Sequence, residues 1–279
     1  MLSIKNVSVR QASSYYEKDD YYVRKDTENY WSGKLKDEFN LPDLVNKKDF
    51  DYYLKDHFQP GKDHHDRVGF DLCFSAPKSV SIAMILDDKL NEDIMSAHHE
   101  AVQEILNKIE EREIGTRITV NKQTMFVNTV NMLCAKFDHF VSRAQDPQLH
   151  THCLIMNMTM YNGKLYSIDN KNLYQNKMIY GQMYRNLLAL KLMEKGYDIT
   201  VTNQEEGFFE LTGVPDHIIQ EMSKRRKEIE DKIKDLDHVD AKSLEKVTLL
   251  TRQAKEEKDI NVLKDSWRET IREMGGIKI

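Results

Sequence analysis

The sequence predicts an α+β protein in which a mainly antiparallel sheet domain is followed by a charged helical appendage. Three observations carry this prediction. Short runs rich in Val, Ile, Thr and Phe recur along the first three quarters of the chain, helical segments separate them, and the last quarter has helical periodicity. We place the boundary between residues 212 and 213, which gives domains 1–212 and 213–279.

The first half of the chain contains two predicted strands and a long helix. Residues 1–9 alternate between apolar and polar side chains, which is typical of a strand with one buried face. In VGFDLCFSAPKSVSIAMIL, a strand is followed by a turn at Ser-Ala-Pro-Lys and by the start of a helix. Residues 92–113 have the apolar spacing of an amphipathic helix.

The second half continues this alternation of strands and helices. Strands are predicted at Thr116–Val120, Thr124–His139 and Leu149–Met160, and a helix at Leu173–Lys195. The segment YDITVTNQEEGFFEL predicts a hairpin. Beyond Pro215 an apolar helical stripe is formed by Ile218, Met222, Ile229, Ile233 and Leu236.

The composition indicates a globular protein with a substantial core, since 40% of the residues are apolar and 31% are charged. The formal net charge of -5 counts against nucleic-acid binding, which usually requires a basic face, but it does not exclude a local basic patch. We interpret the three cysteines, Cys73, Cys134 and Cys153, as small core residues in a reducing cytoplasm, because they match neither a disulfide framework nor a cysteine zinc site. The sequence has no signal-peptide pattern and no apolar run of about 20 residues, so we expect a cytoplasmic bacterial protein.

The segment DPQLHTHCLIMN places two histidines, His150 and His152, at the start of an apolar strand. Side chains two residues apart on a strand point to the same face. His139 ends the preceding predicted strand, so all three imidazoles converge if the two strands pair in antiparallel fashion. Three neutral imidazoles leave open positions on a divalent ion, as a catalytic metal site requires. The alternative is three core histidines with ordinary hydrogen bonds.

Asp71 lies within the apolar strand GFDLCF, where an unpaired carboxylate would be costly to bury. Such a carboxylate can orient a metal-bound histidine or accept a proton from a nucleophile. An edge-strand aspartate that faces water is the alternative.

The polar segment ASSYYEKDDYYVR contains two tyrosine pairs, Tyr15 with Tyr16 and Tyr21 with Tyr22. A phenolate can attack phosphorus and form a covalent phosphotyrosine, and a metal can stabilise the charge that develops on the phosphoryl oxygens. The alternative is a row of aromatic rings that pack a short helix onto the sheet.

Taken in order, these segments resemble the nicking domain of MobF-type conjugative relaxases, the TraI/TrwC-like group. The paired tyrosines, DLCFSAPKSVS and HFVSRAQDPQLHTH carry the resemblance, which extends through SKRRKEIEDKI to SWRETIREMG. It implies an antiparallel sheet palm with flanking helices and C-terminal helical fingers that close over single-stranded DNA. It also implies metal-dependent, site- and strand-specific nicking of a plasmid transfer origin, with a 5′-phosphotyrosine adduct that allows the strand to be rejoined.

The resemblance also implies roles for individual residues. Tyr15 matches the initiating nucleophile, and Tyr21 or Tyr22 matches the tyrosine of a second strand transfer. Asp71 matches the acidic residue between a histidine and the nucleophile. The metal-binding triad is matched by His139, His150 and His152.

Two departures from the pattern concern the tyrosines and the metal. The spacer EKDD between the tyrosine pairs is short. Phe140 follows the first histidine, where the family leads us to expect an acidic residue.

Relaxases of this group usually carry a helicase after the nicking domain, and no Walker A pattern occurs here. We therefore expect a truncated form or one part of a longer protein.

Basic residues supply candidate contacts to the DNA backbone. Lys78 lies within DLCFSAPKSVS and Arg143 within HFVSRAQDPQLHTH, and solvated surface charge is the alternative for both. The predicted fingers contain a basic run, which would make binding salt-dependent. The run consists of Lys224, Arg225, Arg226 and Lys227.

We expect a divalent metal as the cofactor, whether Mg²⁺, Mn²⁺, Zn²⁺ or a similar ion, although imidazoles suit Mg²⁺ poorly. The expected partners of a monomeric chain are single-stranded DNA at a transfer origin and other conjugation proteins. Two alternatives stay open: a rolling-circle replication initiator, and a non-enzymatic single-stranded-DNA-binding module with a structural metal. A metallohydrolase would leave the tyrosine pairs unexplained.

Overall fold

The computed structural model describes residues 1–8, 29–56, 67–234 and 259–279. Its strands, in chain order, are β1 (Leu2–Ser8), β2 (Tyr30–Ser32), β3 (Arg67–Ser75), β4 (Gly115–Val120), β5 (Gln123–Asn128), β6 (Cys134–Val141), β7 (Pro147–Met156), β8 (Thr159–Tyr161), β9 (Lys164–Tyr166), β10 (Ile199–Asn203) and β11 (Phe208–Leu211).

The helices separate groups of strands and follow the last of them. In chain order they are α1 (Lys34–Glu38), α2 (Lys47–Asp51), α3 (Lys78–Ala83), α4 (Asp88–Arg112), α5 (Lys171–Gln175), α6 (Lys177–Glu194), α7 (Asp216–Glu221), α8 (Lys224–Lys234) and α9 (Ile260–Glu273). A π-helical turn, Tyr52–Asp56, directly follows α2. None of the helices in these parts of the chain combines the length and the apolar character that a membrane crossing requires.

A five-stranded sheet with the order β1-β3-β7-β6-β2 forms the centre of the fold. Strand β3 pairs in antiparallel fashion with β1 and with β7, and β2 pairs likewise with β6. The remaining strands form two-stranded hairpins: β4 with β5, β8 with β9, and β10 with β11. Antiparallel strands with helices between and after them confirm the predicted α+β class.

Strand β3 shows how the sheet divides its side chains between two faces. Phe70, Leu72 and Phe74 are fully buried on one face, which we call the back face. Asp71 and Cys73 alternate with them and lie on the front face. A hydrophobic cluster also covers the front face, and its larger side chains are Trp31, Leu35, Phe50, Tyr53, Phe137, Leu154 and Met156. Apolar packing therefore borders the polar residues of the front face.

The chain divides into two compact units. The first consists of Met1–Ser75, His99–His139 and His150–Leu188 and contains most of the central sheet. The second consists of Ala76–His98, Phe140–Leu149 and Ala189–Ile279. The domain boundary predicted at residues 212 and 213 stays a prediction.

Three predicted elements are interrupted in the structure, and one of them, the strand Leu149–Met160, contains most of β7 and the start of β8. The run Thr124–His139 forms β5 and β6, with a break in which Val130 has a φ of 57° and the Asn131 side chain donates to the carbonyl oxygen of Met160. The run Leu173–Lys195 contains the end of α5 and all of α6, and the two helices are separate because Asn176 leaves helical geometry with a ψ of 3°. The strand pattern is thus interrupted where the Asn131 side chain forms a hydrogen bond, and the helix pattern is interrupted at a single non-helical residue, Asn176.

Candidate active site

Three imidazole rings lie together on the front face of the sheet. His139 is on β6, and His150 and His152 are on β7. The ring centroids are 5.3 Å apart for His139 and His150, 5.2 Å for His139 and His152, and 5.3 Å for His150 and His152. The nearly equal separations show that the three rings form one cluster on this face, and the group whose donor atoms all lie close together includes His150 and His152. Their role as metal ligands stays a prediction.

Asp71 holds one of these rings in a fixed orientation. Its two carboxylate oxygens lie 2.8 and 2.9 Å from Nδ1 of His152, and both side chains are 8% exposed. A carboxylate only accepts hydrogen bonds, so this contact assigns the proton to Nδ1 and makes Nε2 the ring nitrogen with a lone pair. This arrangement is the usual orientation of a metal-binding histidine by an outer carboxylate. The buried carboxylate is therefore paired, and it does not face water.

Cys73 adds a fourth donor to the front face. It lies directly opposite His152 in the register of β3 and β7, and Ser75 lies opposite His150. The Cys73 sulfur and a ring nitrogen from each of His150 and His152 all lie within 4.8 Å of one another. Burial, followed by the charge of Asp71, raises the pKa of the Cys73 thiol to about 12. The donor set of imidazoles and a thiol fits a divalent transition metal.

A second polar network lies directly behind the histidines, on the back face. Asp138 and Thr151 occupy the alternate positions of β6 and β7, and the Thr151 hydroxyl donates to Asp138 Oδ1 at 2.5 Å. His99 Nε2, on α4, lies 2.6 Å from Asp138 Oδ2. The network links the two strands at the positions where they carry the histidines.

The turn between β6 and β7 is organised by Asp146, in the second unit. The buried Asp146 carboxylate accepts from the backbone N–H of Arg225, at the start of α8, at 3.3 Å. The indole Nε1 of Trp267, on α9, donates to the carbonyl oxygen of Gln145 at 3.0 Å. Burial raises the pKa of Asp146, although Lys78 and the N–H groups at the start of α8 oppose this shift. The turn therefore anchors two C-terminal helices.

Lys78 lies next to the turn between β6 and β7. Its ammonium group donates to the carbonyl oxygen of Pro147 at 2.9 Å. Burial lowers the pKa of Lys78 to about 8, and the nearby carboxylates of Asp146 and Glu210 oppose this shift. Within the described residues, the contacts of Lys78 support the turn, so its role in phosphate binding stays a prediction.

The basic run predicted to contact DNA forms the first turn of α8. Arg225 is paired with Glu228 at 3.2 Å, and Arg226 with Glu230 at 2.6 Å. The flanking residues of the run, Lys224 and Lys227, lie on the same helix. Arg143 lies between β6 and β7. The predicted roles of these residues in DNA binding are untested by the geometry.

The four candidate tyrosines lie outside the described residues. Tyr15, Tyr16, Tyr21 and Tyr22 all fall between residues 9 and 28. Their roles stay predictions based on the sequence.

Comparison with known proteins identifies the family. A family profile described as TrwC relaxase matches residues 9–274. The multifunctional conjugation protein TraI of Escherichia coli (strain K12) is 32% identical over 295 aligned positions, which cover 99% of this chain and 16% of TraI. This chain therefore spans about a sixth of the length of that relative.

Solved relaxase structures match the whole fold. A copper-bound structure of the conjugative relaxase TrwC in complex with oriT DNA has a TM-score of 0.88 and 31% identity, with 100% of this chain and 99% of that chain covered. TrwC complexed with a 27-mer DNA that comprises the recognition hairpin and the cleavage site has a TM-score of 0.86 and 29% identity, with the same coverage. The fold and the histidine cluster thus define a conjugative relaxase domain. The chain belongs to the TrwC relaxase family.

Sequence reasoning missed several residues of these networks. Cys73 was interpreted as a core residue, but it stands two residues from Asp71, and that spacing places both side chains on one face of a strand. Thr151 and Asp138 sit next to the histidines, and their alternation predicts the opposite face. Asp146 precedes a proline, which is a turn signal.

Proposed function

We propose that this chain cleaves and rejoins one strand of DNA at a transfer origin, with Tyr15 as the nucleophile. The observation that carries the proposal is the convergence of three imidazoles, one of them held by Asp71, in a member of the TrwC relaxase family. The relatives bound to oriT DNA and to metal support the choice of substrate class and cofactor.

The proposed reaction is a transesterification. The phenolic oxygen of Tyr15 forms a bond to the scissile phosphorus, and the bond from phosphorus to the 3′ oxygen breaks. The phenol loses its proton, and the leaving 3′ oxygen gains one to become a free hydroxyl. The products are a 5′-phosphotyrosine and a 3′ end, and the reverse attack of that hydroxyl rejoins the strand without ATP.

His139, His150 and His152 are the residues that would hold a divalent metal. The bound ion would neutralise a non-bridging oxygen of the scissile phosphate, where negative charge develops. Imidazole donors suit Zn²⁺, Ni²⁺ or Cu²⁺ better than Mg²⁺. The apolar cluster that borders the histidines excludes water from one side and strengthens electrostatic interactions there.

Asp71 has two proposed roles, and the geometry favours one of them. Both of its oxygens accept from the same nitrogen of His152, so the carboxylate is engaged in positioning that ring. We therefore propose Asp71 as a positioning residue for His152.

The basic first turn of α8 is proposed to contact the DNA backbone. Lys224 and Lys227 supply charge for phosphates, and the glutamates paired with Arg225 and Arg226 reduce the net charge of the turn. Phosphate contacts of this kind make DNA binding fall with rising salt concentration. Substrate binding should therefore depend on salt despite the net charge of -5.

The test uses a supercoiled plasmid that carries the transfer origin of the genetic element encoding this chain. We expect metal-dependent relaxation and a covalent protein–DNA adduct, whose peptide carries the phosphodiester on Tyr15. Tyr15→Phe keeps the ring and should eliminate the adduct while DNA binding persists. Tyr16→Phe is the matched control and should leave first cleavage intact.

Other outcomes of the same assay separate the alternatives. A mobility shift without an adduct would identify a DNA-binding module and overturn the proposal. An adduct on Tyr21 or Tyr22 of the wild-type protein would refute the assignment of Tyr15 but keep the reaction class. Relaxation of a replication origin in preference to the transfer origin would indicate a rolling-circle initiator.

A further inference from the structure

Cys73 occupies a place on the sheet that the function proposed above does not use. On the front face of β3, it follows Asp71 at the next same-side position and lies directly opposite His152. Its sulfur lies within 4.8 Å of ring nitrogens of both His150 and His152. The other cysteines, Cys134 and Cys153, are fully buried at back-face positions of β6 and β7. The three thiols therefore have different surroundings, although all are free.

The contact with Asp71 determines which ring nitrogen of His152 can act as a metal donor. Asp71 accepts from Nδ1 of His152, so Nε2 is the nitrogen left for a metal. A side chain that lies directly opposite on the neighbouring strand is within reach of the same ion. Among the described residues, the compact group of potential donors is formed by Cys73, His150 and His152, with the ring of His139 beside it.

We propose that Cys73 is a fourth protein donor to the metal held by His139, His150 and His152. This inference rests on the proposed metal site and adds its ligand chemistry. On binding, the sulfur forms a bond to the ion, and the thiol proton leaves to solvent. Four protein donors would fill a four-coordinate ion, so binding of a substrate phosphate oxygen would require release of the Cys73 thiolate or a higher coordination number.

A sulfur donor changes which metal the site prefers. Thiolates favour soft and borderline ions such as Zn²⁺, Co²⁺ and Cd²⁺, whereas Mg²⁺ and Mn²⁺ favour oxygen donors. A site made of imidazoles and one thiolate should therefore select against the hard ions more strongly than imidazoles alone. Replacement of Cys73 should reduce this selectivity.

The test is a titration of metal-free protein with Co²⁺, monitored by absorption. Cobalt in a site of low coordination number gives visible d–d bands, and a bound thiolate adds a charge-transfer band in the near ultraviolet. We expect both in the wild-type protein. In Cys73→Ala we expect d–d bands without the charge-transfer band, and a Co²⁺ affinity reduced at least about tenfold, as outer-shell changes alone cost that much.

Cys153→Ala is the matched control, because it removes a thiol from the same sheet at a back-face position. It should keep the charge-transfer band and the affinity of the wild-type protein. Far-ultraviolet circular dichroism of each variant establishes that the fold is retained. Cys73→Ser, which keeps a side chain of similar size, repeats the test should the alanine variant fail to fold.

Two results would overturn the inference in distinguishable ways. Wild-type d–d bands without a charge-transfer band, or a charge-transfer band that persists without Cys73, would show that the histidines bind metal and Cys73 does not. The absence of all cobalt bands from the wild-type protein would overturn the proposed metal site together with this inference.

Discussion

Two aspartate–histidine pairs lie on opposite faces of the same sheet. On the front face, Asp71 contacts Nδ1 of His152 with both oxygens, and both side chains are 8% exposed. On the back face, Asp138 contacts Nε2 of His99 at 2.6 Å, and the His99 side chain is 43% exposed. The two pairs are alike in chemistry and differ in burial and in neighbours.

The difference lies in what surrounds each imidazole. The ring of His152 has two other imidazoles within about the same distance and a thiol opposite it. The back-face carboxylate instead accepts from the Thr151 hydroxyl, which joins β6 to β7. Several potential donors therefore surround the His152 ring at the proposed metal site, and an aspartate–histidine contact alone does not indicate such a site. The back-face pair supports the strands that carry those donors.

The largest expected effect comes from removal of two front-face imidazoles. The double variant His150→Ala/His152→Ala should lose metal binding in isothermal titration calorimetry. Cleavage should fall about a thousandfold or more, because a metal acting as a Lewis acid contributes several kcal/mol to the transition state. The fold should remain, since hydrophobic packing elsewhere on the sheet is unchanged.

Retained metal affinity in that double variant would contradict the assignment of metal binding to the front face. It would mean that the ion sits elsewhere and that the front-face rings have a structural role. Circular dichroism of the same sample distinguishes a folded, metal-free protein from an unfolded one.

A smaller effect is expected for Asp71→Asn. An asparagine side chain keeps the size of aspartate but loses the charge and one acceptor, so it orients the His152 ring less firmly. We expect metal affinity to fall about 10- to 100-fold and cleavage to slow without being abolished. Unchanged metal affinity, measured by calorimetry, would contradict the positioning role.

Thr151→Val tests the back-face network without touching a candidate ligand. Loss of the hydroxyl leaves an oxygen of the largely buried Asp138 without that donor, and we expect a loss of about 1–3 kcal/mol in the free energy of unfolding. Metal affinity should change less than tenfold. Thr151→Ser retains the hydroxyl and should restore most of the stability in urea titrations. A loss of affinity as large as that of Asp71→Asn would erase the distinction between the two faces.

The smallest effect is expected for His99→Gln. Because the His99 side chain is partly exposed, its contact with Asp138 should be worth about 0–1 kcal/mol. Thermal unfolding should shift by a few degrees at most, and calorimetry should give the metal affinity of the wild-type protein. A large loss of metal binding would show that the back-face pair acts on the metal site through the strands.

The sequence predicts local elements well where the pattern is strong. The strand, turn and helix around Ala76 and Pro77 follow from alternation and from a proline, and the structure has β3 and α3 there. The breaks at Val130 and Asn176 could not be predicted, because each depends on one residue that leaves regular geometry within an otherwise periodic segment.

Some residues of the candidate site can be predicted from the local sequence, and others depend on contacts between distant segments. The shared face of His150 and His152 follows from strand geometry alone. Cys73 joins them only because β3 is the neighbour of β7, and no local pattern specifies which distant strands pair. The role of Asp146 likewise depends on α8, which begins 78 residues later in the chain at Lys224.

The most direct test of the front-face site measures covalent adduct formation before and after metal removal. Wild-type protein is treated with a chelator, incubated with single-stranded transfer-origin DNA, and then supplied with Zn²⁺ or Ni²⁺. We predict that the adduct disappears on chelation and returns with metal in the wild-type protein and in His99→Gln, but not in His150→Ala/His152→Ala. Adduct formation by that double variant, with metal shown to be absent, would contradict the account.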